Sequence, residues 1–337
     1  MSRIFTVCRW EWFKLQRRRM PWILLAILFA FSQLSIWGGY ASYAFAAARG
    51  GQVLVPTTPT NPGRPRMVSC NALEQDAGSV LPADSSPQVV TSLAMQCQVQ
   101  KASLATRYQV FAPAGSVTLT LSVAAGLGII LLGILSASVV GIEYGLGTLR
   151  PILTRGTGRL PWLAGKYLML VGVTTAALLL VCAAAAGSGA LAGKIAPPPP
   201  DGPNLLAISW SSLGISFVKT WGALLAFVTM AGAVTLLVRS TAVGMAISLG
   251  YYIGEGILIR LLSIAFDWID KVGNYLPMRN ISTLASFRTN IAAAVNINAN
   301  GISALHASLV VAAYAIGLAA IAAVVFRRRD VVGAVGS

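Results

Sequence analysis

Six stretches of the chain run apolar for about twenty residues or more, with at most two charges in any of them, at about 22–45, 117–140, 167–192, 217–238, 243–265 and 303–326. A hydrocarbon core about 30 Å thick needs roughly 20 residues of helix to cross it, so each stretch predicts one transmembrane span. None shows the residue-by-residue alternation of a barrel strand, the other structure that satisfies every backbone group in lipid. The pattern predicts an all-α polytopic membrane protein, with one six-span transmembrane domain over 22–337.

The polar intervals divide the chain further. Ahead of the first span, "RIFTVCRWEWFKLQRRRM" places Ile4, Phe5, Cys8, Trp12 and Leu15 on one helical face and Lys14, Arg17 and Arg18 on another, with Trp10 and Phe13 interrupting the pattern. This predicts an amphipathic helix over 1–21 lying in the inner interface, anchored by Trp12, Arg17, Arg18 and Arg19. The plainer alternative is an ordinary charged flank of the first span. Residues 46–116 form a large outer segment that opens on the Pro-rich "VPTTPTNPGRPR", expected to be extended or irregular, and continues as a Gly- and Pro-free stretch suited to a helix or two. The connector "KIAPPPPDGPN" is short and stiff, and 205–216 suits an interfacial helix. Between the last two spans, 266–302 carries "ISTLASF" and "IAAAV", amphipathic pieces suited to re-entrant helices on the outer side. No internal repeat is visible.

Composition agrees with the bilayer: 56% of the 337 residues are hydrophobic and 10% charged. The net charge of +15 raises the question of nucleic acid, and the placement of the cations answers it. Arg3, Arg9, Lys14, Arg17, Arg18, Arg19, Arg150, Arg155, Arg159, Lys166, Arg239, Arg327, Arg328 and Arg329 fall on the side shared by both termini, against Glu11, Glu143 and Asp330. By the positive-inside rule, both termini are cytoplasmic and the basicity records topology and lipid attraction, with no nucleic-acid partner expected. The first span is too long for a signal-peptide core, so the N-terminus is expected to be retained. The protein is expected in the plasma (cytoplasmic) membrane, crossing it several times.

Cysteine placement leaves one question open. Cys70 and Cys97 lie in the outer segment, where they either form a disulfide or stand as two thiols; spacing alone does not choose. Cys8 and Cys182 are read as small apolar residues.

Enzyme chemistry finds no home here. His306 is the single histidine, and no span carries an HExxH, a paired Asp or a Cys/His cluster, so no catalytic or metal site is expected. Nor is there a phosphate-cradling G-x-x-x-x-G-K-[ST] run: Gly165 and Lys166 are followed by Tyr167. Any ATP-driven work must come from a partner. Two charges lie within the fifth span, in "YYIGEGILIRLL". Glu255 is a candidate for the translocation path or for a cation on a substrate, with structural pairing to neighbouring helices as the alternative. Arg260, five residues on, points elsewhere and can snorkel to the outer interface.

The loop at 141–166, "GIEYGLGTLRPILTRGTGRLPWLAGK", carries the densest signal. Glu143 stands where the second span ends, Gly147 and Thr148 suit a flexible capped turn, and "LRPIL" offers a short helix with Pro151 near its start, where a missing N–H costs little. Arg155 and Arg159 follow, and "GTG" separates that helix from the third span. A short helix held between two spans is a suitable lever.

Glu143, Gly147, Thr148, Leu153, Arg159 and Lys166 in this order resemble the second-to-third-span loop of type-2 ATP-binding-cassette exporter permeases. The likeness extends to the basic N-terminal "elbow", the six spans, the "NYLP" segment after the fifth span and the closing "FRRRD". It implies that the loop carries a coupling helix, with Glu143, Gly147, Thr148, Arg150, Leu153, Arg155 and Arg159 serving a separate nucleotide-binding subunit. It also implies a working unit of two permease chains, identical or related, and two ATPase subunits that bind ATP and Mg, this chain holding no cofactor. The first outer segment departs from the family in its size and its cysteines.

Together these readings point to the membrane subunit of an ATP-driven exporter, moving an apolar or amphipathic compound (drug, antibiotic or lipid-like) out of the cell. Two other classes remain: an ion-coupled secondary transporter, for which Glu255 is the best intramembrane carboxylate, and a membrane sensor or assembly protein whose outer loop binds a ligand.

Overall fold

A computed structural model describes residues 2–48, 52–55, 66–75, 81, 87–149, 151, 158–197, 210–266, 268–285 and 302–328. Among them, six helices are long and apolar enough to cross a membrane, in the order the hydropathy pattern predicts. The protein is a multi-pass helical membrane protein.

The chain opens with α1 (Ser2–Gln16), breaks, and continues as α2 (Arg19–Ala48), the first span. Pro21 is the third residue of α2, within the first turn, where a backbone N–H has no intrahelical partner to lose. The indole of Trp22 donates to the Gln16 carbonyl (3.0 Å), satisfying the end of α1 across the break. The second span is α5 (Pro113–Val123), a π-turn at Ala124–Gly128 and α6 (Ile129–Gly145); before it come α3 (Cys70–Gln75) and α4 (Pro87–Tyr108). The remaining spans are α7 (Arg159–Ile195), α8 (Trp210–Val238), α9 (Thr241–Ser263) and α12 (Ala304–Arg328), with α10 (Trp268–Gly273) and α11 (Pro277–Leu284) between the last two. Several helices overrun the predicted spans: α7 starts eight residues before the expected position 167, and α8 starts at Trp210, absorbing part of the interfacial piece expected at 205–216. Hydropathy marks hydrocarbon, whereas a helix continues wherever its backbone bonds can.

The chain forms two compact units. The first comprises Met1–Ser32, Thr120–Cys182 and Ser211–Ser337. Its helices approach closely through small residues, as expected where lipid offers no hydrophobic drive for association. At Gly133 of α6, an added Cβ would lie 2.6 Å from the Phe227 ring of α8. Beside it, the Ser136 hydroxyl donates to the Val228 carbonyl (2.6 Å). The π-turn shifts the ladder of backbone bonds, and the Gly126 carbonyl within it accepts from the Tyr252 hydroxyl of α9 (3.4 Å). A tight turn joins α8 to α9, with Arg239 at a φ of 58° and Ser240 capping α9 through Val243 N–H (3.4 Å). The spans α2, α9 and α12 are mostly exposed and carry large apolar side chains such as Phe31, Leu258 and Ile316 outward, as lipid-facing surfaces do.

The second unit comprises Gln33–Leu119 and Ala183–Trp210. It contains a hairpin that the sequence pattern did not predict, β1 (Gln52–Val55) antiparallel to β2 (Arg66–Ser69) with Gln52 opposite Ser69. A disulfide joins Cys70 to Cys97, whose Cα atoms are 5.5 Å apart, and Val68, Leu73, Leu81 and Leu93 are buried around it. A second cluster packs Tyr43, Tyr108 and Phe111 in tilted and edge-to-face contacts, and the Tyr43 hydroxyl donates to the Pro197 carbonyl (2.6 Å).

Candidate functional site

The face of α1 that packs against the rest of the chain differs from the apolar face expected to lie in the interface, sharing Leu15 with it. Phe5 is 70% exposed and Trp12 39%, while Val7, Glu11 and Leu15, spaced by four, are buried. Counting Glu11 as a surface residue hides this face, because a carboxylate is buried only when paired. Its partners come from far along the chain. At Gly165 an added Cβ would stand 2.6 Å from Val7 Cγ1, so the missing side chain lets α1 lie against α7.

One residue past Gly165, Lys166 makes three contacts with its ammonium group. It reaches Glu11 Oε2 at 3.0 Å, Glu143 Oε1 at 3.0 Å and the Val139 carbonyl at 3.0 Å. It also lies over the ring of the buried Trp162, 4.9 Å from its centre. Lys14 closes the cluster, 2.9 Å from Glu11 Oε1 and 3.4 Å from Glu143 Oε1. Two carboxylates and two ammonium groups therefore cancel in a region where Lys166 is 1% exposed, Glu143 4% and Glu11 7%. Burial pushes the Glu11 carboxyl up, but the Lys166 and Lys14 charges outweigh it and hold the group below its ordinary value. For Lys14, burial pulls the ammonium down, and the bonds and charges of Glu11 and Glu143 more than reverse this, raising it. Glu143 Oε2 is buried without a hydrogen-bond partner among the described residues.

This cluster ties the N-terminal helix to the last turn of α6 and the first turns of α7. Those are the two ends of the loop that the sequence singles out. The loop leaves α6 through Leu146 and Gly147; the latter has a φ of +64°, a conformation that glycine adopts without steric cost. Thr148 is exposed. Arg150, Leu153 and Arg155, and with them most of the expected coupling helix, lie outside the described residues. Arg159, the first residue of α7, donates through Nη1 to the carbonyls of Phe326 (3.2 Å) and Arg327 (2.8 Å), gripping the last turn of α12. Trp162 stacks on Phe326 with ring centres 5.2 Å apart.

Glu255 is engaged with the backbone. Its carboxylate accepts from Met278 N–H (3.0 Å) and Arg279 N–H (2.9 Å), the second and third residues of α11. Leu276, at the cap position, has no side chain able to do this, and Pro277 has no N–H. Glu255 thus caps from another helix. Arg279 in turn reaches the Asp270 carboxylate (3.4 Å) and carbonyl (3.3 Å). Arg260 is exposed while Glu255 is buried, as their five-residue spacing predicts. The "ISTLASF" piece is helical up to Leu284, and "IAAAV" lies outside the described residues. His306 takes a structural position, Nε2 3.1 Å from the Asn274 carbonyl and its ring edge-on to Tyr275.

Of the residues expected to anchor α1 in the interface, Arg17 rests its guanidinium 4.3 Å over the Phe13 ring, the Arg18 N–H donates to the Leu15 carbonyl (3.1 Å), and Arg19 begins α2. The structure brings Glu143 together with residues that the site reading did not include, Glu11, Lys14 and Lys166, and places Arg159 separately, against the last turn of α12. One signal was available, since Glu11 and Glu143 are two of only three acids on the basic side.

Six helices long and apolar enough to cross a membrane, among the described residues, define a polytopic helical membrane protein. The chain belongs to the family described as a protein of unknown function, DUF2705, whose pattern matches residues 90–332. No curated protein matches the chain, and no solved structure does.

Proposed function

We propose that this chain is the membrane subunit of an ATP-driven exporter of the ATP-binding-cassette type, working as a pair of such chains with separate nucleotide-binding subunits that hold ATP and Mg. The observation that supports this best is the clamp of Lys166 on Glu11 and Glu143, 3.0 Å each, at the two ends of the loop after α6. A partner pressing on that loop would meet one braced body made of α1, the end of α6 and the start of α7, so displacement would reach the spans. Arg159 extends the brace to α12. In this reading α1 is the interfacial elbow, both termini are cytoplasmic and the chain has no catalytic role of its own. ATP binding in the partner would shift the paired spans from inward to outward access and move an apolar or amphipathic compound out of the cell.

The engagement of both Glu255 oxygens by the start of α11 favours a positioning role for that carboxylate and weighs against an ion-coupled carrier, which would need those oxygens open to the transported ion. The test is co-purification from mild detergent, comparing wild type with a Gly147→Val/Thr148→Trp variant, both positions being exposed. A nucleotide-binding subunit with ATPase activity should accompany wild type and be lost or uncoupled in the variant. Wild type that brings down no ATPase would overturn the exporter reading.

A further inference from the structure

A groove of about 250 Å³ opens where α1 breaks into α2, lined by Trp12, Leu15, Trp22, Leu28, Leu135 and Ala176 among others. Its walls are almost wholly apolar. Apart from the two indole N–H groups, the polar side chain among the lining residues is Gln16; the Trp22 indole donates to the backbone carbonyl of Gln16. On the far wall α6 supplies leucines and α7 supplies Val173, Ala176, Ala177 and Leu180, and the alanines leave the room. The lip is different: Arg17, Arg18 and Arg19 follow one another between Gln16 and Pro21, both of which line the groove, and no acid occurs from Trp12 to Trp22. Arg17 and Arg19 are exposed.

We propose that this groove holds one acyl chain of an anionic phospholipid, with its phosphate on the arginines at the α1–α2 break. An apolar slot beside three adjacent cations matches a molecule with an apolar tail and an anionic head. Two tryptophans at the mouth suit the depth at which those parts meet. A zwitterionic lipid would fill the slot but leave the arginines less well matched. The lipid is a resident of the chain, wedged between α1 and the α6–α7 pair, and is separate from any transported compound.

The experiment is native mass spectrometry of the full chain released from nanodiscs of equal phosphatidylglycerol and phosphatidylcholine. Wild type should keep one phospholipid, enriched roughly tenfold in phosphatidylglycerol, given the attraction of each basic side chain for an anionic surface. Ala176→Trp, which fills the slot, should lose it, whereas Leu309→Trp on the exposed face of α12 should not. The triple change Arg17→Gln, Arg18→Gln, Arg19→Gln should keep a phospholipid but lose the headgroup preference. Retention by Ala176→Trp equal to wild type, or wild-type retention without headgroup preference, overturns the proposal. Should Ala176→Trp fail to fold, brominated acyl chains decide it on native groove residues: brominated phosphatidylglycerol should quench tryptophan fluorescence more than brominated phosphatidylcholine, and equal quenching overturns it.

Discussion

Glu11 and Lys166 stand 155 positions apart in sequence and 3.0 Å apart in space, each buried and each placed against the other's charge. Such a pair contributes little over an apolar replacement, because desolvating two ions offsets their attraction, yet removing Lys166 leaves the buried Glu11 and Glu143 to share the partly exposed Lys14, with one negative charge uncompensated. Lys166→Met should therefore destabilise the protein by about 3–5 kcal/mol. Adding Glu11→Gln to that variant should recover part of the loss. Thermal unfolding in detergent of the two single variants and the double variant measures the coupling, and simple additivity would mean that the pair does not act as one.

The same cluster sets a pH window. Glu11 is lowered on folding, so its contribution is full above the ordinary carboxylate range of about 4.3 and is lost as pH falls through its lower folded value. Lys14 is raised, so its contribution is full below about 10.4 and is lost as pH rises through its higher folded value. The gap in unfolding midpoint between wild type and Glu11→Gln should be flat across neutral pH and shrink in acid below about 4. A gap that changes most between pH 6 and 8 would contradict the assignment.

Glu255 supplies the two acceptors that the start of α11 lacks. Glu255→Leu should cost about 1–3 kcal/mol through two unsatisfied buried N–H groups. Glu255→Gln, with one acceptor oxygen, should cost less. Hydrogen exchange at Met278 and Arg279 should quicken in that order, and unchanged exchange in the leucine variant would show that the cap is dispensable.

The six spans were legible because each must satisfy its own backbone in lipid, and roughly twenty apolar residues announce that directly. The buried face of α1 was not, because it includes Glu11, whose burial depends on Lys166 far along the chain. Glu255 stood out as a costly intramembrane charge, but its partners are backbone groups 23 and 24 residues on, which side-chain patterns do not record. The β1–β2 hairpin went unread for a similar reason. Its four-residue strands flank a Pro-rich stretch, and its pairing lies in backbone register.

The disulfide closes a separation of 27 residues within the second unit and lies among Val68, Leu73 and Leu93. Cys97→Ser should destabilise that unit by about 3–4 kcal/mol, chiefly by freeing its unfolded chain. Limited proteolysis should then cut α4 faster than in wild type while sparing α6 to α9. Equal cutting of both would indicate that the loss spreads through the protein.

Gly147 separates the backbone demand of the loop from its surroundings. Its φ is +64° and nothing lies within 4 Å of the position a Cβ would take, so a substitution is strained by the backbone alone. Gly147→Ala should cost about 1–2 kcal/mol locally, and Gly147→Asn less, because asparagine enters the left-handed region more readily. If the loop transmits force from an ATPase partner, ATPase activity coupled to transport should fall in the alanine variant and recover in the asparagine variant, with unfolding midpoints within a few degrees of wild type. A passive connector would tolerate both, because a strained turn far from any chemistry alters turnover only when its angle is part of the transmission.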